Sequence, residues 1–274
     1  MFPYENIKLR AYTYNLYGAD SMITHSHDLL KENLFSTVRM LGRNPGGALL
    51  ELPSGTVAGA SGLPYAGENY ALFSSSAGRD DMLSVLDFFK IRNIPFIVPQ
   101  NPDLNGTIKI LLASQGFKAY HTYTSMSINT SVNNGCDPDV IEVSCPLQAA
   151  EWADSTWAGF TEEQNAPDKF SNLAEYMYNS NDNMLFYLKF EGKPVCTGLI
   201  HQSQNTCGLY YFATHALFRR RGFAYRLMRH IVWRISLISE KIVLLATESG
   251  YPMYLNFGFA AEKQIQILSL SDDI

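Results

Sequence analysis

Apolar and polar residues in the second half of the chain follow patterns that predict strands and helices in turn. From Gly222 to Ile238, apolar side chains recur at steps of three and four residues, which is the spacing of an amphipathic helix. Ile242–Ala246 is an uninterrupted apolar run, typical of a buried parallel strand. The pattern also predicts strands at Val140–Val143, Met184–Phe190, Val195–Gln202, Thr206–Thr214 and within Phe259–Leu270, and helices at Leu147–Trp157, Asp168–Tyr178 and Pro252–Phe257.

Two features divide the chain into halves. The segment Asn129–Asp139 is rich in Asn, Ser, Gly, Asp and Pro, a composition typical of a linker. In each half a helical segment ends in a Gly-Phe pair, and the glycines, Gly116 and Gly258, lie 142 positions apart, which suggests a duplicated unit. We therefore predict an α/β (α+β) fold with domains at 1–130 and 139–274, each a mixed, mostly antiparallel twisted sheet flanked by helices.

The composition argues against several classes of protein. A formal net charge of -5 disfavours nucleic-acid binding through the overall field. The chain has no window of about 18 apolar residues and no N-terminal leader pattern, so we expect a cytoplasmic protein without membrane contact. The 4 cysteines lack paired CxxC spacing and the 6 histidines form no recognisable ligand set, so neither a disulfide framework nor a metal site is expected. The oligomeric state stays open.

The turn before the long helix indicates an anion site. The strand that ends at Thr214 leads into the basic run Arg219–Arg221 and then, through Gly222, into the helix. A helix N-terminus presents unpaired N–H groups and the positive end of the helix dipole, and with nearby arginines this combination binds phosphate. Glycine lets the backbone approach such a ligand closely. The glycine spacing differs from both the Walker and the dinucleotide-binding patterns.

This spacing resembles the acetyl-CoA loop of the GNAT superfamily of N-acetyltransferases, whose consensus is Gln or Arg, two residues, Gly, one residue, and then Gly or Ala. The matching positions are Arg219, Gly222 and Ala224. The family's next elements follow in order: a helix, a parallel strand, a short helix carrying Tyr254, and the tripeptide 257–259 in place of a Leu-Gly-Phe-like ending. The resemblance covers about residues 139–270. It departs from the commoner pattern in having alanine at 224, which the consensus permits, and phenylalanine at 257.

The resemblance implies that acetyl-CoA is the co-substrate. In the family, backbone N–H groups at the start of the helix bind the pyrophosphate, and the end of the preceding strand binds the pantetheine arm and polarises the thioester carbonyl. The positions that correspond here are Phe212, Ala213, Thr214, Arg219, Arg220, Arg221, Gly222, Phe223 and Ala224. Tyr254 occupies the family's position for the acid that protonates the departing thiolate.

The general base is not identified by the sequence. Many family members place a glutamate near the end of the strand before the loop, but the segment LYYFATH contains no carboxylate. The side chains left as candidates are His215, His201 and Glu248. A proton relayed through water is an equal alternative.

The first half resembles the degenerate N-terminal halves of some tandem GNAT proteins. The spacing of the Gly-Phe pairs places Asp80 opposite Gly222 and Leu112 opposite Tyr254, and the segment SAGRDD has no phosphate-loop spacing. We expect this half to shape the acceptor pocket, or to complete the fold, without binding acetyl-CoA itself.

The function expected from these features is acetyl-CoA-dependent N-acetyl transfer to a primary amine by direct attack. We expect a small-molecule or peptide amine as the acceptor, whose identity the sequence leaves open, and the acidic charge mildly favours a cationic one. The alternative is a catalytically inactive GNAT-like module that binds CoA or another protein. A third possibility is an enzyme of the same fold that uses another acyl-CoA or an aminoacyl donor.

Overall fold

The computed structural model of the protein describes residues 26–100, 104–132, 135–161, 163–204 and 206–271. In these ranges the helices are α1 (Ser26–Arg43), α2 (Arg79–Arg92), α3 (Gly106–Ser114), α4 (Pro146–Thr161), α5 (Asp168–Asn179), α6 (Phe223–Ile235) and α7 (Tyr251–Phe257). The strands are β1 (Ala48–Glu51), β2 (Val57–Ala60), β3 (Asn69–Leu72), β4 (Val98–Gln100), β5 (Lys118–Asn129), β6 (Val140–Glu142), β7 (Asn183–Phe190), β8 (Lys193–Ser203), β9 (Thr206–Thr214), β10 (Lys241–Ala246) and β11 (Ala260–Ser269).

Strands from both halves form one sheet of 8 strands, in the order β4-β11-β5-β10-β9-β8-β7-β6. The β9–β10 pair is parallel, and the other pairs of this sheet are antiparallel. A smaller antiparallel sheet has the order β1-β2-β3, and a parallel bridge between Tyr70 and Ile97 links its β3 to β4. The expected α/β class with mixed, mostly antiparallel sheets is therefore confirmed. The sheets are nevertheless not confined to one half each.

The closing strands differ from the prediction. Phe259–Leu270 was expected to supply more than one strand, but it contains the single strand β11, with a register shift between Ala261 and Gln264. The neighbour of β11 is β5, a strand of the first half that lies between β10 and β11 and pairs with both. In turn β11 pairs with β4 of the first half. Each half therefore places its last strand against the other half. The domain bounds 1–130 and 139–274 stay a prediction.

The two halves repeat one order of elements. The series α2, β4, α3, β5 in the first half corresponds to α6, β10, α7, β11 in the second. Both short helices end at a glycine in the left-handed region, Gly116 with φ +89° and Gly258 with φ +116°, where a side chain would be strained. These correspondences support the duplication inferred from the Gly-Phe spacing.

Different helices cover the two faces of the second-half sheet. On one face α6 buries its apolar stripe, which includes Leu227, Ile231 and Ile235, and Tyr254 of α7 lies in the same cluster. On the other face Trp152 of α4 and Phe170 of α5 pack in a separate cluster. Helix α1 of the first half contacts β8, β9 and β10. This division determines from which side each functional group reaches the site.

The predicted linker is attached to α6 where it is described. The Arg226 guanidinium donates to both carboxylate oxygens of Asp137, at 2.8 Å each, and to Asp139 at 2.6 Å. Hydrogen bonding to Arg226 holds the pKa of Asp137 below its ordinary value. Asn133 and Asn134 lie outside the described residues. In the ranges that are described, no helix combines the length and the apolar character needed to cross a membrane.

Candidate functional site

The parallel strands β9 and β10 separate and leave a slot between them. They pair only at Ile242–Cys207 and Val243–Gly208, near their amino-terminal ends. Beyond these pairs β9 runs on to Thr214 and β10 to Ala246 without mutual pairing. The facing backbone edges are thus free to bind an extended ligand in place of a neighbouring strand. The unpaired edge of β9 includes Phe212–Thr214.

A bulge in β9 contributes to the separation. Between Thr197 and Leu199 of β8 the register with β9 shifts, so that β9 carries one residue more than β8 at this point. The extra residue is Tyr211, whose φ of +48° lies in the left-handed region. Tyrosine rarely adopts this conformation, so the surrounding contacts must stabilise it. Its ring lies 5.8 Å from that of Trp152 and 5.9 Å from that of Phe170.

The loop after β9 has the geometry of an anion site. Gly222 is the N-cap of α6, with φ +82°, and no side chain caps the helix. Arg220 also has a positive φ, +61°, and successive N–H groups in such alternating conformations tend to converge on an anion. Nothing in the described part of the chain lies within 4 Å of a Cβ built on Gly222. The first turn of α6 contains no acidic residue, so the positive end of its dipole is not neutralised locally.

The three arginines of this loop have different surroundings. The Arg219 guanidinium donates to the backbone carbonyl of Thr214 at 3.1 Å and to that of Gly159 at 2.8 Å. Arg219 therefore fastens the loop to the ends of β9 and α4, and its contact with a cofactor stays a prediction. Arg221 lies over the ring of Phe218, 5.3 Å from its centroid, and is exposed, as is Arg220.

Tyr254 reaches the slot from the α6 side of the sheet. Its ring packs 6.0 Å from that of Phe212 on β9 and 5.5 Å from that of Phe259. Burial, and secondarily the nearby Cys196 thiol, raise the pKa of the Tyr254 phenol above its ordinary value. Cys196 itself lies 3.2 Å from the Thr214 hydroxyl, at the end of β9. The phenol is therefore protonated at neutral pH and lies close to the strand that borders the slot.

His201 lies at the closed end of the slot. It pairs with Gly208, and at about 3.3 Å per residue this position is about 20 Å along β9 from Thr214. Its ring is buried, with Nε2 2.8 Å from the Ser36 hydroxyl and Nδ1 2.8 Å from the Asn183 amide oxygen. Burial lowers the pKa of His201 to about 4. The structure does not bring His201 to the loop, so it is not retained as a candidate base.

The other two predicted bases lie nearer the open end of the slot. His215 follows β9, and its Nδ1 accepts a hydrogen bond of 3.3 Å from the Leu217 N–H. Glu248 follows β10 and lines an open cleft of about 1110 Å³. Side chains of β5 and β11, among them His121 and Glu262, line the same cleft. His215 and Glu248 make no contact with each other, so the predicted candidate bases do not form one catalytic group.

A carboxylate from the first half reaches the site instead. Glu68 ends a 3-10 turn, Ala66–Glu68, that immediately precedes β3. The Tyr211 hydroxyl, at the bulge of β9, donates to Glu68 Oε2 at 2.5 Å. Burial raises the pKa of Glu68 to about 7, although the hydrogen bond from Tyr211 opposes the rise. The sequence does not reveal Glu68 as a site residue, because Glu68 lies 143 positions from Tyr211 and belongs to no motif.

Comparisons with known proteins support the GNAT-like fold expected from the sequence. Residues 149–267 match the family model described as "Acetyltransferase (GNAT) domain". A GCN5-related N-acetyltransferase from Kribbella flavida superposes with a TM-score of 0.62 at 12% identity, over 87% of this chain and 95% of that chain. A tandem GNAT protein from the clavulanic acid biosynthesis pathway superposes with a TM-score of 0.54 at 10% identity, over 89% and 93% of the two chains. No curated protein sequence matches this chain.

The GNAT resemblance found in the sequence is thus confirmed. Residues 149–267 match a GNAT acetyltransferase domain, and the chain shares its fold with GCN5-related N-acetyltransferases, including a tandem GNAT protein.

Proposed function

We propose that the protein is an acetyl-CoA-dependent N-acetyltransferase that transfers the acetyl group to a primary amine by direct attack. The observation that carries this proposal is the slot between β9 and β10, because it ends at the uncapped N-terminus of α6. An extended thioester with a pyrophosphate at one end matches both features. The acceptor is a small-molecule or peptide amine, and the setting is the cytoplasm.

Each part of the transfer has a group in the chain. Backbone N–H groups of residues 221–224 bind the pyrophosphate, and exposed Arg220 and Arg221 add positive charge. The free edge of Phe212–Thr214 binds the pantetheine arm and polarises the carbonyl. The Tyr254 phenol donates a proton to the sulfur as the C–S bond breaks. Its raised pKa makes it a weak acid, so the proton must move as negative charge develops on sulfur.

The first test is calorimetric titration of the purified protein with acetyl-CoA, with free CoA and ATP as controls. One site per chain, selective for CoA species, is expected. Gly222→Asp should abolish binding, since it places a carboxylate where the pyrophosphate lies and a side chain at φ +82°. Gly192→Asp is the matched control, because Gly192 has φ +78°, equally open surroundings and a position in the β7–β8 turn. It should bind acetyl-CoA normally.

The two variants separate the possible outcomes. Acetyl-CoA binding that survives Gly222→Asp would place the cofactor elsewhere, and no binding by the wild-type protein would refute the proposed function. Binding of CoA species without transfer to any amine would favour the inactive binding module.

Tyr254→Phe tests the assignment of the acid. Phenylalanine preserves the ring contacts with Phe212 and Phe259 but removes the proposed proton donor, so turnover should fall by about 10²-fold or more. The acetyl-CoA dissociation constant should stay nearly unchanged. Tyr176→Phe, on α5, is the control. Steady-state kinetics that show equal rates for the two variants would exclude Tyr254 as the acid.

A further inference from the structure

Glu68 belongs to a recess lined by tyrosines from three separate strands. Tyr70 is on β3, Tyr123 on β5 and Tyr211 on β9, and we call these residues with Glu68 the tyrosine recess. Burial first, and then the nearby Glu68 and Tyr123, raise the pKa of the Tyr70 phenol. The hydrogen bond between Tyr211 and Glu68, and the apolar clusters that Tyr70 shares with Tyr211 and with Tyr123, place these residues close together. Each of the four residues keeps partial solvent exposure, so none of them is sealed inside the core.

The tyrosine recess adjoins the slot on both of its sides. Tyr211 extends from β9, and Leu245 of β10 packs with Tyr70 and Tyr123 against the buried side chains of Ile97 and Ile265. The strands that border the slot thus each contribute a residue to the recess or to its floor. An acceptor in the recess would lie next to a thioester in the slot.

The recess and Tyr254 lie on opposite faces of the sheet. Tyr211 packs against Trp152 and therefore faces α4, whereas Phe212, the next residue, packs against Tyr254 and faces α7. Proton transfer from an attacking amine and proton transfer to a leaving thiolate occur on different sides of the reacting carbonyl carbon. Glu68 and Tyr254 are placed for these two separate transfers.

The recess and the cleft of about 1110 Å³ share one residue, Tyr123. Tyr123 lines this cleft, together with Glu248 and Glu262, and it is also a wall of the recess. The lining of this cleft combines carboxylates with tyrosine rings. Both kinds of group favour an ammonium ion, the carboxylates by charge and the tyrosines through their ring faces.

We propose that the first half of the chain supplies the acceptor site, in which the tyrosine recess binds a primary ammonium group and Glu68 is the general base. This inference rests on the proposed function. Glu68 takes one proton from the ammonium ion and later releases it to solvent. The neutral amine then attacks the carbonyl carbon, the C–N bond forms, and the C–S bond breaks with its electron pair on sulfur. Nitrogen loses its second proton to solvent, sulfur receives one from Tyr254, and solvent restores the phenol.

The ionisation of the recess agrees with this role. A pKa of about 7 leaves a substantial fraction of Glu68 as carboxylate at neutral pH, while the proton it gains can still return to water. The facing groups, Tyr70, Tyr123 and Tyr211, have raised pKa values and remain neutral over the same range. Because the base must be deprotonated, kcat/KM should fall as the pH drops through about 7.

Glu68→Gln is the first variant to measure, with Glu32→Gln, on the exposed surface of α1, as its control. Release of free thiol from acetyl-CoA would be followed with n-butylamine, tyramine and spermidine as acceptors between pH 5.5 and 9, roughly spanning the Glu68 transition. Glu68→Gln should lower kcat/KM by about 10²-fold or more and abolish the decrease toward acid pH. It should bind acetyl-CoA as the wild type does, and Glu32→Gln should behave as wild type throughout.

Tyr211→Phe gives a readout that loss of structure would not produce. Its hydroxyl lowers the pKa of Glu68, so removing it should move the acid limb of the pH profile to higher pH. The inference would be overturned if Glu68→Gln kept the wild-type kcat/KM, or if Tyr211→Phe did not move the acid limb of the pH profile. It would also be overturned if the wild-type protein bound acetyl-CoA but acetylated none of the three amines. Loss of acetyl-CoA binding by the wild type would instead refute the proposed function.

Discussion

Residues 139–274 expressed alone should fail to form a stable folded protein, although they contain the entire segment that matches the GNAT domain. The reason is β5, which lies between β10 and β11 and is absent from this fragment. Removing β5 leaves the backbone groups of two central strands unpaired and uncovers the side chains packed around Met126, which is fully buried. Long unpaired strands of this kind also promote aggregation.

Circular dichroism and chemical unfolding would measure the effect. The fragment should show no cooperative transition, whereas co-expression with residues 1–138 should restore a soluble complex that unfolds cooperatively. This co-expression shows that the missing first half, and not poor production of the fragment, causes the loss of folding. A fragment that unfolds cooperatively alone would demonstrate that the second half folds independently and would support the predicted domain bounds.

Trp152→Ala should lower the free energy of unfolding by about 3–5 kcal/mol, the range typical of a large buried aromatic residue. Trp152 is 0% exposed, and its indole N–H donates to the backbone carbonyl of Gly198 at 3.2 Å. The substitution leaves a cavity between α4 and the sheet and removes the partner of a buried carbonyl. It also removes a ring that supports Tyr211 in its left-handed conformation.

Trp233→Ala is the matched control, because Trp233 is partly exposed on α6 and packs against His230. Urea unfolding of both variants should show that Trp233→Ala loses clearly less free energy of unfolding than Trp152→Ala. If both variants lost the same free energy of unfolding, Trp152 would not be the residue whose packing positions the bulge in β9. Transfer activity should also decline in Trp152→Ala under conditions where the protein remains folded, because Tyr211 would no longer hold Glu68.

Elements with a strong local pattern were predicted closely. The apolar spacing at Gly222–Ile238 corresponds to α6, which ends three residues earlier, at Ile235. The helix predicted at Pro252–Phe257 is α7, and Gly258 ends it in the left-handed conformation expected for a C-terminal glycine. These features depend on neighbours within one or two turns, which a sequence displays directly.

Contacts between distant segments were not predicted. Arg219 matches the family's motif, but its guanidinium binds the carbonyls of Thr214 and Gly159, and the second of these belongs to α4. His201 was a candidate base because of its place in the sequence, and only packing against Ser36 and Asn183 reveals a buried structural residue. A side chain's role here depends on partners that no local spacing encodes.

The order of helices and strands, the candidate anion site at Gly222 and the resemblance to the GNAT superfamily can be read from the sequence, because each follows from short-range periodicity, backbone preference or motif spacing. The insertion of β5 into the second-half sheet and the contact between Glu68 and Tyr211 are visible only in the folded structure. Strand pairing and side-chain contact across 143 positions depend on how whole elements pack. The free energy that selects such packing comes from buried surface shared between the halves, and neither half carries that information alone.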